Sequence, residues 1–207
     1  MIFKPLERTD TVLYKGIAIL MIVIHNFMHT FPSPKEMEFS FYDDRFNIFL
    51  ESFNEPSNIV QILFSFLGHY GVQIFIFLSA YGLAKRYKNH LEINYFAYIK
   101  NRIKVIYPSF ILALIFYVLV ATNWSFGVLS PIKHLYWNME IYFNKFVLIA
   151  NFLPGQELSL SGPWWFISFI FQFYLVFPLL LKFYERWRGS SLLVLSVLSL
   201  AFNSYYQ

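Results

Sequence analysis

The chain of 207 residues is 57% hydrophobic and 22% aromatic, with 26 phenylalanines and only 14% charged residues. That composition excludes an ordinary water-soluble domain and makes the lipid bilayer the expected surroundings. No cysteine is present, so disulfides, thiolate metal sites and a cysteine acyl-enzyme are excluded; the net charge of +4 says less than its distribution along the chain.

A hydrocarbon core about 30 Å thick needs roughly 20 helical residues. Apolar runs of suitable length predict spans at 12–31, 71–87, 103–122, 163–183 and 192–206. A sixth candidate, 141–153, is short and carries Lys145, so it either crosses with help or lies against the bundle. The first run is followed by "HNFMHTFPSPKEMEF" and not by a small-residue cleavage site, so it is expected to remain as a signal anchor. Turn signals fall at the breaks: "FPSPKE" after the first span, "FLGHYG" before the second and "LPGQELSLSGP" before the fourth. Residues 57–67 read as a short amphipathic helix at the outer interface, joined to the second span through 68–71. Period-2 alternation is absent over any useful length, which argues against a β-barrel. The expectation is an all-α, polytopic transmembrane helix bundle of five or six membrane segments.

Charge orients it. Residues 32–58 carry Glu36, Glu38, Asp43, Asp44, Glu51 and Glu55 against Lys35 and Arg45. Between the next two spans Lys85, Arg86, Lys88, Lys100, Arg102 and Lys104 oppose only Glu92. Positive charge stays inside, so the N-terminus and residues 85–104 should be cytoplasmic and 32–58 external. If 141–153 crossed, the basic stretch "KFYERWR" at 182–188 would lie outside; charge favours the arrangement in which it does not cross.

Ionisable groups inside a span are costly and mark functional sites by default. On the first helix these are Lys15, His25, His29 and the polar Asn26. At about 100° per residue, Lys15, Asn26 and His29 share a stripe within about 40°, and His25 flanks it, about 80° from Lys15. Three readings of the histidines stay open: satisfied polar residues at a helix mouth, an i, i+4 metal pair, or a general base. The metal reading lacks the glutamate of the zinc-protease signature and a third ligand. A neutral imidazole near physiological pH can take a proton from an attacking hydroxyl.

Four blocks in order, "LYKGIAILMIVIHNFMH", "GVQIFIFLSAYGL", "YIKNRIKVIYPSFIL" and "GPWWFISFIFQFYLVFPLL", resemble the membrane-bound acyltransferase-3 family of sugar O-acyltransferases. The resemblance implies transfer of an acyl group, commonly acetyl, from cytoplasmic acyl-coenzyme A to hydroxyls of sugars or cell-envelope glycans. The expected partners are the lipid bilayer, the acyl-CoA donor and a glycan or other hydroxyl acceptor, with no bound cofactor and no nucleic acid. It further implies a multi-pass protein of the bacterial inner membrane. Residues 1–207 are then expected to form one membrane acyltransferase-like domain, truncated at its C-terminus, from a bundle of about ten spans.

The family's first helix has an arginine, ten intervening residues and a catalytic histidine. Here Lys15 stands for the arginine and the histidine position holds Asn26; His25 is one residue early and His29 three late. The implied base is therefore His25 or His29: proximity to the motif favours the first, the shared stripe the second. Asn26 is a plausible oxyanion donor. Arg102 and Lys104 match the family's basic pair beside a proline, and Arg102 is the better candidate for coenzyme A phosphates, by bidentate hydrogen bonds; the alternative is a topology signal. Trp164 and Trp165 are expected to divide between interfacial anchoring and pocket lining, and Glu36 or Glu38 to orient a histidine or to sit in a solvated loop. Ser79, Ala80 and Gly82 read as close helix packing; Ser79 as a nucleophile has no visible base. The competing reading is a non-catalytic transporter or flippase component, its solute path lined by the polar residues of the first helix.

Overall fold

A computed structural model describes residues 5–28, 31, 43–54, 59–87, 93–122, 127 and 129–206, the last five of these by backbone alone. Among the described residues there are helices and turns and no strand. The chain forms two compact units, residues 1–89 and 90–207.

In the first unit α1 is Arg8–Met28, α2 Asp43–Glu51 with a 3-10 turn after it, α3 Ile59–Leu67 and α4 Tyr70–Tyr87. The start of α1 is fixed locally: the Glu7 backbone N–H donates to Asp10 Oδ2 at 2.8 Å, an acid of the first turn reaching back to the residue before the helix. Helix α1 runs antiparallel to α4. The Leu6 carbonyl at its beginning accepts from Lys85 Nζ at 2.8 Å and from the Tyr81 hydroxyl at 3.3 Å, both near the end of α4. At the other end of the pair, residue 71 packs on α1 at Ala18, which is fully enclosed, and residue 68 packs at Met21 and His25. Helices α3 and α4 meet at a 49° bend across the break at 68–69. Outward-facing Val12, Leu13, Leu20 and Val23 are exposed, as expected of a surface covered by lipid.

The second unit begins with α5, Tyr95–Ala121, whose first turn is capped by Asn94 Oδ1 accepting from the Ala97 N–H at 3.0 Å. Then come α6 Ser130–Trp137, α7 Met139–Phe146, 3-10 turns at Ala150–Phe152 and Gly162–Trp164, α8 Trp165–Trp187 and α9 Gly189–Tyr206. Its core joins Phe110 and Leu114 of α5 to Tyr142 and Leu148, with Tyr107, Tyr117, Trp164 and Phe171 packed around them.

Among the described residues three helical stretches are long and apolar enough to cross a membrane, Arg8–Met28, Tyr95–Ala121 and Gly162–Trp187, and the bent pair α3 and α4 is long enough for a fourth only if the two are counted as one broken span and not as a re-entrant loop. The spans predicted from hydropathy each fall largely on a helix, the first extending into residues 29–30 outside the described ones, but the fifth lies on α9, whose apolar part, Gly189–Ala201, is shorter than the three long apolar helices. The third begins eight residues early, since the Asn94 cap carries the helix through the charged stretch before the apolar run. The short candidate at 141–153 is not a span. Helix α7 stops at Phe146, Leu148 has φ of 61°, and a 3-10 turn follows. Lys145 explains the reversal: fully enclosed, its Nζ donates to the Glu157 carbonyl at 2.7 Å, which requires the following loop to fold back over α7. Asn144 Nδ2 likewise donates to Gln156 Oε1 at 2.9 Å. The amphipathic helix expected at 57–67 is α3.

Candidate functional site

In the first unit the site is built on the break between α3 and α4. The last carbonyls of a helix lack intrahelical partners. The Phe64 carbonyl of α3 accepts from the Gly68 N–H at 3.0 Å and from His25 Nδ1 at 2.9 Å. A carbonyl can only accept, so Nδ1 carries the proton, and in the neutral ring Nε2 carries the lone pair. His25 is buried, 6% exposed. A glycine is required beside it, because a Cβ at residue 68 would stand 2.6 Å from His25 Cβ and 2.5 Å from the Phe64 oxygen.

A second imidazole completes the cluster. The His69 ring lies 5.9 Å from that of His25, tilted by 58°, and rests on Tyr70 at 4.1 Å between centroids. Sequence reading took "FLGHYG" as a turn signal alone; a histidine between glycines at a helix break was the available clue. Among the described residues no three histidines or acids gather as a metal-binding group.

The other first-helix candidates sit differently. Lys15 is half-buried with Nζ 5.6 Å from the centre of the Phe75 ring on α4, about ten residues, or roughly 15 Å, from His25. Asn26 turns back on its own helix, Nδ2 donating to the Ile22 carbonyl at 2.8 Å. His29, Glu36 and Glu38 lie outside the described residues. Ser79 is 2% exposed and its Oγ has no hydrogen-bond partner among the described residues. Close packing at Gly82 is not found among the described residues: a Cβ there would meet nothing within 4 Å, and the tight approach to α1 is made instead by Gly68 in the break and Gly71 at the opposite end of α4.

In the second unit Arg102 projects from α5 between two rings, its guanidinium 5.4 Å from Tyr98 and 5.3 Å from Tyr174 of α8. Tyr98 is itself buried against Phe177. Arg102 Nε has no hydrogen-bond partner among the described residues. A guanidinium steadied by two π faces keeps its planar fork of donors for an anion. Lys104 is exposed. Trp164 belongs to the core cluster, edge-on to Phe110 at 5.8 Å and tilted on Tyr117 at 5.1 Å. Trp165 packs on Phe166 and Phe169, and its carbonyl accepts from Asn151 Nδ2 at 2.9 Å. Arg102 and Trp164 are thus separate features of this unit: Trp164 packs on Phe110, eight residues and about 12 Å along α5 from Arg102.

A family model described as an acyltransferase domain matches residues 13–207. Among curated proteins and solved structures, none matches the chain.

Proposed function

The chain belongs to the acyltransferase-3 family, and from that premise we propose that it moves an acyl group, acetyl by our reading, from a coenzyme A thioester onto a hydroxyl of a sugar or cell-envelope glycan. Its setting is the bacterial inner membrane, with the N-terminus cytoplasmic.

The observation that carries the mechanism is the hydrogen bond from His25 Nδ1 to the Phe64 carbonyl. It supports His25 as general base, with Nε2 as the accepting atom. As the acceptor oxygen attacks the thioester carbonyl carbon, Nε2 takes the hydroxyl proton. The tetrahedral oxyanion then collapses, the C–S bond breaks, and the imidazolium returns the proton to the departing thiolate. Base catalysis of this kind is worth roughly 10²- to 10⁴-fold. Asn26 is our candidate oxyanion donor through the N–H not given to Ile22, and His29 is the alternative base. Lys15 supplies positive charge on the same helix. In the second unit Arg102 is our candidate for the coenzyme A phosphates, and Trp165, which stands apart from the core cluster that holds Trp164, for contact with a substrate ring.

Membranes containing the protein, given labelled acetyl-coenzyme A and a panel of glycans, should transfer label to an acceptor. His25→Ala should lower that transfer a hundredfold or more while expression is unchanged. Wild-type transfer by His25→Ala, by His29→Ala and by the double variant would end the base assignment. Movement of acceptor across the membrane without covalent change would instead favour a transporter.

A further inference from the structure

The basic end of α8 holds an arginine where the backbone asks for a glycine. Helix α8 ends at Trp187, and Arg188 follows with φ of 46° and ψ of −123°. The first central residue of a II′ turn takes that conformation, which favours glycine because it crowds a Cβ. Gly189 comes next, and a Cβ there would meet nothing within 4 Å, yet the positive φ falls on the arginine. Neighbouring groups enforce it. The Arg188 N–H donates to the Tyr184 carbonyl at 2.6 Å, and the Arg188 carbonyl accepts from the N–H and the hydroxyl of Ser191, which is fully enclosed. Strain held in place at a non-glycine residue points to a use for its side chain.

The surroundings name the use. The apolar run of α8 gives way to charge at Lys182, and Lys182, Arg186 and Arg188 are all exposed, with Glu185 the one acid between them. Among the described residues no ion pair neutralises these cations. Tyr184 and Trp187 are exposed beside them, Trp187 lying 6.2 Å from the Phe183 ring, as aromatic side chains do where hydrocarbon meets headgroups. Helix α8 runs antiparallel to α5, with Trp164 at Phe110 and Phe177 at Tyr98. The Tyr95 hydroxyl at the start of α5 donates to the Leu175 carbonyl at 3.3 Å, so the last turns of α8 extend past α5. A helix dipole or a cytoplasmic location favours positive charge here, but glycine at 188 and arginine at 189 would meet either demand without strain. We infer that the end of α8 binds the phosphate of an anionic phospholipid at the membrane surface, with Arg188 as its fixed ligand and Lys182 and Arg186, one turn apart, beside it. The guanidinium supplies a bidentate fork for the phosphate. The exposed aromatic pair favours a lipid over a soluble phosphate, which has no use for Tyr184 and Trp187.

The experiment follows thermal unfolding of the full chain in a neutral detergent with added phosphatidylglycerol, phosphatidylcholine or coenzyme A. Phosphatidylglycerol should raise the melting point of wild type and phosphatidylcholine should not, and high salt should weaken the rise. Without lipid, Arg188→Gly should melt about 2–4 °C above wild type, because the strain is gone. It should nevertheless need about fivefold more phosphatidylglycerol for the same rise. The double variant Arg188→Gly with Gly189→Arg keeps the charge but moves it off the fixed position, and should behave as Arg188→Gly does. Should the glycine variants fail to fold, Arg188→Asn, whose short side chain tolerates positive φ, is read in the same way. Equal phosphatidylglycerol dependence in wild type and Arg188→Gly, or in wild type and the double variant, would overturn the inference. So would an Arg188→Gly chain that melts below wild type, since the arginine would then serve the fold. A rise given by coenzyme A and lost in Arg188→Gly would assign the cations to donor phosphates and overturn the lipid assignment.

Discussion

Gly71 lies so close to Ala18 that a methyl group added to it would come within 2.6 Å of the Ala18 carbonyl oxygen. The same methyl would stand 3.1 Å from Met21 Cβ and from Ile22 Cγ1. Two of these neighbours are backbone or Cβ atoms that cannot rotate away, so α1 and α4 would have to part. In lipid, where no hydrophobic gain drives helices together, such close backbone contact is a main source of association. Gly71→Ala should therefore destabilise the protein by about 1–3 kcal/mol. Gly82→Ala on the same helix meets open space and should be neutral or stabilising by about 0.5–1 kcal/mol from helix propensity. Thermal unfolding of the two variants in detergent checks the contrast, and equal melting points would contradict it.

Two buried groups of the second unit give stability an alkaline optimum. Burial lowers the Lys145 ammonium from its ordinary 10.5, with the Glu157 carboxylate acting in the opposite sense. Burial, and then the neighbouring Tyr117, raises the Tyr142 hydroxyl to about 12. For Lys145 the unfolded chain binds the proton more tightly, so stability rises as pH climbs from the lowered folded value to 10.5 and is level above. For Tyr142 the folded chain holds the proton more tightly, so stability is full below pH 10 and falls as pH rises towards 12. Unfolding measured from about pH 8 to 12 should pass through a maximum near pH 10. Lys145→Met should flatten the rising arm and Tyr142→Phe the falling one.

Arg102 offers a different test, because its two rings hold the guanidinium plane and a lysine would lose both the stacking and the fork. Charge-assisted hydrogen bonds are worth about 1.5–3 kcal/mol. Arg102→Lys and Arg102→Ala should each raise KM for acetyl-coenzyme A about tenfold or more with little change in kcat. Unchanged KM in both would remove Arg102 from the donor site.

Much of this architecture was readable in advance because its causes are local. Apolar runs located the helices, and glycine and proline located the breaks. The start of α5 was missed because hydropathy dilutes over "YFAYIKNRIK", although Asn94 with its acceptor three residues before Ala97 is a local signal. The reversal after α7 was open from sequence because the acceptor for Lys145 is a main-chain carbonyl, which no residue type announces. The approach of His69 to His25 joins residues 44 apart and depends on the bend angle, so helical-wheel geometry on α1 alone could rank His25 and His29 but could not reveal the neighbour. Glycine content similarly marked α4 as a packing helix without saying which glycines make the contact.

The hairpin of α1 and α4 turns the charge argument into a topology test. Because Lys85 Nζ and the Tyr81 hydroxyl both reach the Leu6 carbonyl, residues 6 and 85 share one end of the pair. Basic residues dominate after α4 and acidic ones before α3, so that shared end is expected in the cytoplasm and α2 outside. With no native cysteine, each introduced one is the sole thiol. Asp44, Lys85 and Glu7 are all exposed. On intact cells an impermeant thiol reagent should label Asp44→Cys and spare Lys85→Cys and Glu7→Cys until the membrane is opened. The reversed pattern would invert the orientation, place the proposed cytoplasmic donor face outside, and sink the acyl-coenzyme A reading with it. Labelling of Glu7→Cys but not Lys85→Cys would instead break the antiparallel pairing of α1 with α4, since two residues at one end of a hairpin cannot lie on opposite sides of a bilayer about 30 Å thick.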